Sequence, residues 1–247
     1  MITCVSIAKG GTSKSTTCWA LSSVFRRLSS PPKKVLLVDA DPQASLSMLL
    51  NLDESRTIAD VLKGRSIFEC VQETEYNGDI IAGSAELPLL SNNELSRLPS
   101  VLREIEPYYD YIIIDSTPTL SAVALSILHA TDKLIIPATA SLPVILSIKQ
   151  FGDLVNVAKQ HNPKLEIAGI LMTMFDKRLI VSKAMRETAE EVAKQLGTRV
   201  FDTTIRKGVV VEEAFASFKD LVSYSKDSNV TKDYQSLVEE LESTCGF

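Results

Sequence analysis

The chain is poor in the residues on which metal and redox centres rest. Its 247 residues include four cysteines and two histidines. Cys4, Cys18, Cys70 and Cys245 have no C-x-x-C spacing, so neither a zinc site nor a disulfide framework is indicated. His129 and His161 stand alone in the sequence and read as structural or surface residues. Long apolar runs are missing too. The uncharged stretch 134–148 contains Pro137 and Pro143 and is too short to span a bilayer. No basic segment and cleavage site precede the first apolar run, so a cytosolic protein is expected. Nor is there an excess of positive charge. Lys and Arg total 26 against 31 Asp and Glu, a net charge of −5. The surface as a whole therefore does not advertise nucleic acid, although local patches can. With 45% hydrophobic and 23% charged residues, the composition is that of a soluble globular protein. The length suits a single α/β domain over 1–247.

What the chain does have is a phosphate-binding loop at its front, Ala8-Lys9-Gly10-Gly11-Thr12-Ser13-Lys14-Ser15-Thr16. An apolar, β-prone run precedes it and a helical pattern follows. In that context the loop's backbone N–H groups and the helix N-terminus converge on one spot and favour negative charge there. Lys14 would reach the β- and γ-phosphates, and the Ser15 hydroxyl would sit on a magnesium ion. The strict pattern G-x-x-x-x-G-K-[ST] is not met: Ala8 and Ser13 occupy its two glycine positions. Lys9 is not needed for the cradle.

Two more segments point to the same chemistry. Lys34–Gln43 is a buried-strand pattern ending in Asp39 and Asp41, which on an extended chain point the same way. Tyr109–Pro118 is a second such strand, ending in Asp115. In open α/β sheets ligands bind beyond the carboxyl ends of the strands. One edge thus receives a phosphate loop, an acid pair and a further acid, as a magnesium-nucleotide site requires.

With these motifs the chain resembles ATPases of the ParA/Soj/MinD group. Ala8 to Ser15 matches their deviant Walker A loop, x-K-G-G-x-x-K-[ST]. Asp39 to Gln43 matches D-x-D-P-Q, and Asp115 to Pro118 matches the D-x-x-P that ends the Walker B strand. Ile135-Ile136-Pro137, Thr173 to Asp176, and Thr204-Ile205 before a basic pair and Val209 are also similar, so the resemblance spans essentially the whole chain. It implies ATP hydrolysis with magnesium. By position, Lys9 resembles the lysine that crosses a dimer interface to the partner's phosphates, and Asp41 the acid that orients the attacking water. Asp39 and Asp115 resemble the acids that hold magnesium through water. The residues implied at the nucleotide are Lys9, Gly10, Gly11, Thr12, Ser13, Lys14, Ser15, Thr16, Phe175, Asp176, Ile205 and Arg206. Two departures stand out. Ser13 replaces a common glycine, and Arg206 stands where many members have proline.

Strands are expected near 2–8, 35–39, 79–83, 110–115, 133–137, 166–173 and 199–202. Helices are expected near 15–28, 44–50, 57–63, 92–105, 120–130, 142–160, 180–196, 210–217 and 230–243. This alternation implies a mainly parallel, twisted sheet with helices on both faces.

The resemblance further implies an ATP-bound homodimer that binds DNA without sequence preference, with a ParB-like centromere-binding partner. Lys177, Arg178, Lys183, Arg186, Arg206, Lys207 and Lys219 are the candidate DNA contacts. A first strand at residue 2 leaves no room before it for an operator-binding helix-turn-helix, so specific DNA binding is not expected. The closing helical stretch, Asp233 to Glu242, is amphipathic but acidic, the wrong sign for anionic lipid. Two readings remain at this level: a DNA-segregation, MinD-like or protein-cluster-positioning ATPase, or a metabolic ATP-dependent ligase of the dethiobiotin-synthetase or cobyrinate-amidating type. Lys9 and the Asp39–Gln43 element favour the first.

Overall fold

The computed structural model describes all 247 residues. Eight strands form one sheet: β1 (Ile2–Val5), β2 (Val35–Ala40), β3 (Val71–Thr74), β4 (Gly78–Ile81), β5 (Tyr111–Ser116), β6 (Lys133–Thr139), β7 (Glu166–Thr173) and β8 (Val200–Thr204). The order across the sheet is β3-β4-β2-β5-β1-β6-β7-β8. Every pairing is parallel except β3 with β4. The central strands are apolar because both of their faces are covered. Alternate residues go to opposite faces: Leu36, Val38, Ile112 and Ile114 to one core, Val35, Leu37, Tyr111 and Ile113 to the other. Each fully buried isoleucine or leucine contributes roughly 1.5–3 kcal/mol.

Helices form the outer layers. One face is covered by α1 (Lys14–Arg27) and α2 (Ser45–Leu49). The opposite face carries α3 (Ile58–Lys63), α4 (Ile67–Cys70), α5 (Asn92–Leu95), α6 (Leu98–Ile105), α7 (Ala122–Ala130), α8 (Leu142–Lys159) and α9 (Ile180–Gln195). The chain then returns to the first face with α10 (Val210–Ala216), α11 (Leu221–Ser225) and α12 (Asn229–Thr244). This division positions the site. The helix after β1 lies on one face and the helix after its neighbour β5 lies on the other. Connections that leave adjacent strands in opposite directions open a crevice at the carboxyl edge, the switch point where such sheets bind ligands.

The expected mainly parallel sheet and its helical layers are present, with local differences. The helix expected over 92–105 is two helices, α5 and α6. Pro99 has no N–H for an i→i−4 bond and opens the second helix instead. The strand pair β3–β4 turns antiparallel at Gly78, whose φ is +75°, and α4 and α11 were not expected.

Candidate nucleotide site at the carboxyl edge

The loop between β1 and α1 forms one wall of a cleft of about 470 Å³. Gly11 has a φ of +71° and Ser13 a φ of +65°. Ser13 is the position where the strict motif has glycine, and a non-glycine residue there costs roughly 1–2 kcal/mol. Its side chain makes no capping hydrogen bond to α1. The N–H groups of the first turn therefore stay available to a ligand. A Cβ added at Gly10 or Gly11 would meet nothing within 4 Å, so the loop borders open space. Thr173 of β7 steadies the loop, its hydroxyl donating to the Thr12 carbonyl at 3.2 Å.

Lys14 is only 7% exposed and lines this cleft. Its ammonium donates to the Lys9 carbonyl at 3.0 Å. Burial pushes its pKa down, while the Asp115 and Asp41 carboxylates pull it back up. A phosphate would supply the counter-charge that the two carboxylates provide only in part. Lys9 differs in every respect. It is exposed, it does not line the cleft of its own chain, and its ammonium has no partner.

The acids divide into front and rear. Asp41 lines the cleft and is 8% exposed, its Oδ1 accepting the Gln43 N–H at 2.9 Å. Asp115 is fully buried at the end of β5, directly across from Asp39 on β2. Burial, and secondarily the Asp39 charge, push its carboxyl pKa up, and the Ser15 side chain partly offsets this. Asp115 Oδ2 has no hydrogen-bond partner. A hard cation on Ser15 and Asp115 would satisfy that oxygen and remove the electrostatic cost, so the residues fit magnesium. Asp39, also expected at the metal, is as buried as Asp115, and neither lines the cleft. Its Oδ2 accepts from the Ser47 N–H at 2.9 Å and the Ser47 hydroxyl at 2.7 Å. Its Oδ1 accepts the Asp41 N–H at 3.1 Å. A Cβ on Gly83 would come within 2.9 Å of its Cγ. These contacts make Asp39 the residue that holds Asp41 in place.

The far wall of the cleft is formed by Met174, Ile205, Arg206, Val211, Val230 and Tyr234. Ile205 and Arg206 were expected there. Phe175 was expected at the nucleotide but is buried, tied to β8 by its N–H to the Ile205 carbonyl at 2.9 Å. Asp176 faces an adjoining hollow, where hydrogen bonds from Arg178 pull its pKa to about 2. Met174, Val230 and Tyr234 escaped the sequence reading. They lie in ordinary apolar or amphipathic patterns and meet the phosphate loop only through the tertiary fold.

The candidate DNA residues also divide. Arg178 is paired to Asp176, Arg186 to Glu190, and Arg206 to Asp233. Lys219 lies over the Tyr76 ring at 5.7 Å, beside the β3–β4 turn. Lys177, Lys183 and Lys207 are exposed and have no ion-pair partner, and Lys177 and Lys207 line one hollow. No helix is long and apolar enough to cross a membrane.

A family model described as an AAA domain matches residues 1–167. The chromosome partitioning protein ParA of Myxococcus xanthus is 31% identical, over 97% of this chain and 87% of its own. Among solved structures, Cyanothece apo McdA superposes with a TM-score of 0.84 at 24% identity, covering 97% of this chain and 98% of the other. The septum site-determining protein MinD of Pyrococcus horikoshii, complexed with Mg-ADP, gives 0.78 at 23% identity, covering 99% and 97%. The phosphate loop, the acids at the strand ends and the match along nearly the whole chain make this protein a member of the ParA/Soj/MinD family of ATPases.

Proposed function

We propose that the chain is a partition ATPase that dimerises around bound ATP, grips DNA without sequence preference in that state, and lets go on hydrolysis stimulated by a ParB-like partner. The observation that carries this is Lys9. A cradle already complete with Lys14 has a second lysine in front of it, exposed and unpartnered. A cation so placed serves a phosphate outside its own chain. A second subunit face to face would bring its Lys9 to this subunit's phosphates, as an arginine finger does. Support for such a face comes from Leu142, Leu146, Leu179, Ile180 and Val209, all exposed and all in segments that follow the carboxyl ends of β6, β7 and β8. Exposed apolar groups gathered on one edge mark an association surface.

Within the site, Ser15 and Asp115 would hold magnesium, which neutralises charge on the phosphate oxygens. Lys14 binds the β/γ-phosphates, and Asp41, held by Asp39, orients water for in-line attack. The named relative, a chromosome partitioning protein, supports a cytoplasmic, nucleoid-associated role of the same kind.

For DNA we assign Lys177, Lys183 and Lys207, the exposed lysines of this set free of carboxylates, Lys207 standing at the mouth shared with the nucleotide cleft. Retention on an arbitrary duplex should need ATP and fall steeply with salt. Replacing the three with alanine should flatten the salt slope by about 0.9 for each phosphate no longer neutralised. An unchanged slope would move the DNA surface elsewhere.

A further inference from the structure

The end of the cleft away from the phosphate loop is held by the last helix rather than by the sheet. β8 is the sheet's edge strand, so part of its backbone lacks a neighbouring strand. Carboxylates of α12 fill that role. Glu240 accepts the N–H groups of Asp202 and Thr203, each at 2.9 Å. One residue carries more. Asp233 accepts the Arg206 backbone N–H at 3.0 Å, its Nε at 2.7 Å and its Nη2 at 2.8 Å. A single carboxylate thus fixes both the chain at 206 and the plane of the guanidinium. The next residue, Tyr234, lies within hydrogen-bond distance of the Thr17 hydroxyl at 3.2 Å, one turn into the helix that starts at the phosphate loop. Val230, one turn earlier, packs so closely on Gly208 that a Cβ there would come within 2.6 Å of its Cγ2. α12 therefore sets the distance between the phosphate loop and the Ile205–Gly208 wall.

That wall is where a base would go. Ile205, Val211, Val230 and Met174 give it apolar surface in a cleft otherwise lined largely by the phosphate loop and polar side chains. A flat heteroaromatic ring suits such a slot, and an immobilised guanidinium offers a planar face to it. A loose arginine would give this up to water.

We propose that Asp233 is a positioning residue for the nucleobase, clamping Arg206 and the Ile205–Gly208 segment as the base-binding wall. This rests on the reading of the cleft as a nucleotide site. It also withdraws Arg206 from the DNA surface, since its guanidinium is engaged at the cleft.

The test compares ADP with inorganic tripolyphosphate, which has phosphates but no base, by calorimetric titration. Asp233→Asn keeps the shape and loses the paired charge. It should weaken ADP about tenfold, because the unclamped guanidinium no longer holds its face to the base, and leave tripolyphosphate affinity unchanged. Unchanged tripolyphosphate binding also shows that the variant is folded. The exchanged pair Arg206→Asp with Asp233→Arg should recover part of the ADP affinity. Equal losses for both ligands, or none for either, would overturn the proposal. Wild-type protein that binds neither ligand would instead overturn the nucleotide reading on which it rests.

Discussion

Lys14→Ala should abolish nucleotide binding, with affinity for ATP and ADP falling by about a hundredfold or more. Lys14 is the one cation buried among the phosphate loop and the acids, and charge-assisted contacts to it are worth about 1.5–3 kcal/mol each. More than one phosphate oxygen of a bound nucleotide would share it. The stability of the fold should not suffer in parallel. Burial is the first cause of this lysine's lowered pKa, so the charge is poorly accommodated until phosphate arrives. Titration calorimetry beside a thermal melt separates the two effects. Unchanged affinity would mean that the loop is not a phosphate cradle.

Lys9→Ala should behave in the opposite way. Its side chain is exposed and makes no hydrogen bond or ion pair within the chain, so fold and ADP affinity should match wild type. The ATP-dependent dimer should be lost. Hydrolysis should fall by about a thousandfold, the lower end of what a charge supplied in trans contributes. Light scattering with a slowly hydrolysed ATP analogue checks the first point and a phosphate-release assay the second. A variant dimer as stable as wild type would place Lys9's action within its own subunit.

The contrast between these lysines was legible in the sequence because motif spacing distinguishes them: Lys14 sits where a cradle needs it and Lys9 does not. Asp39, Asp41 and Asp115 were likewise readable as acids at the ends of buried strands, since strand patterns are local and the ligand edge of a parallel sheet follows from topology. Which acid stands in front was not readable. Asp39 lies behind Asp41 because Ser47 and Gly83 close around it, and those contacts join separate elements. The carboxylate partners of the arginines were hidden for the same reason. Arg206 looks like a free cation beside Lys207, but Asp233, far along the chain, neutralises it. The antiparallel turn at Gly78 was hidden in a stretch of weak pattern. The break at Pro99 was available in principle, since a proline inside a helical run removes a backbone bond.

The central claim is that ATP, and not ADP, turns this chain into a DNA-binding dimer. The most direct measurement of it uses Asp41→Ala, which keeps the phosphate loop, Ser15 and Asp115 but removes the acid proposed to orient the attacking water. Retention of this variant on an arbitrary duplex is followed in ATP and in ADP across a salt series. Binding in ATP should outlast that of wild type, and ADP should release the duplex. Equal retention in both nucleotides, or none in either, would contradict the claim.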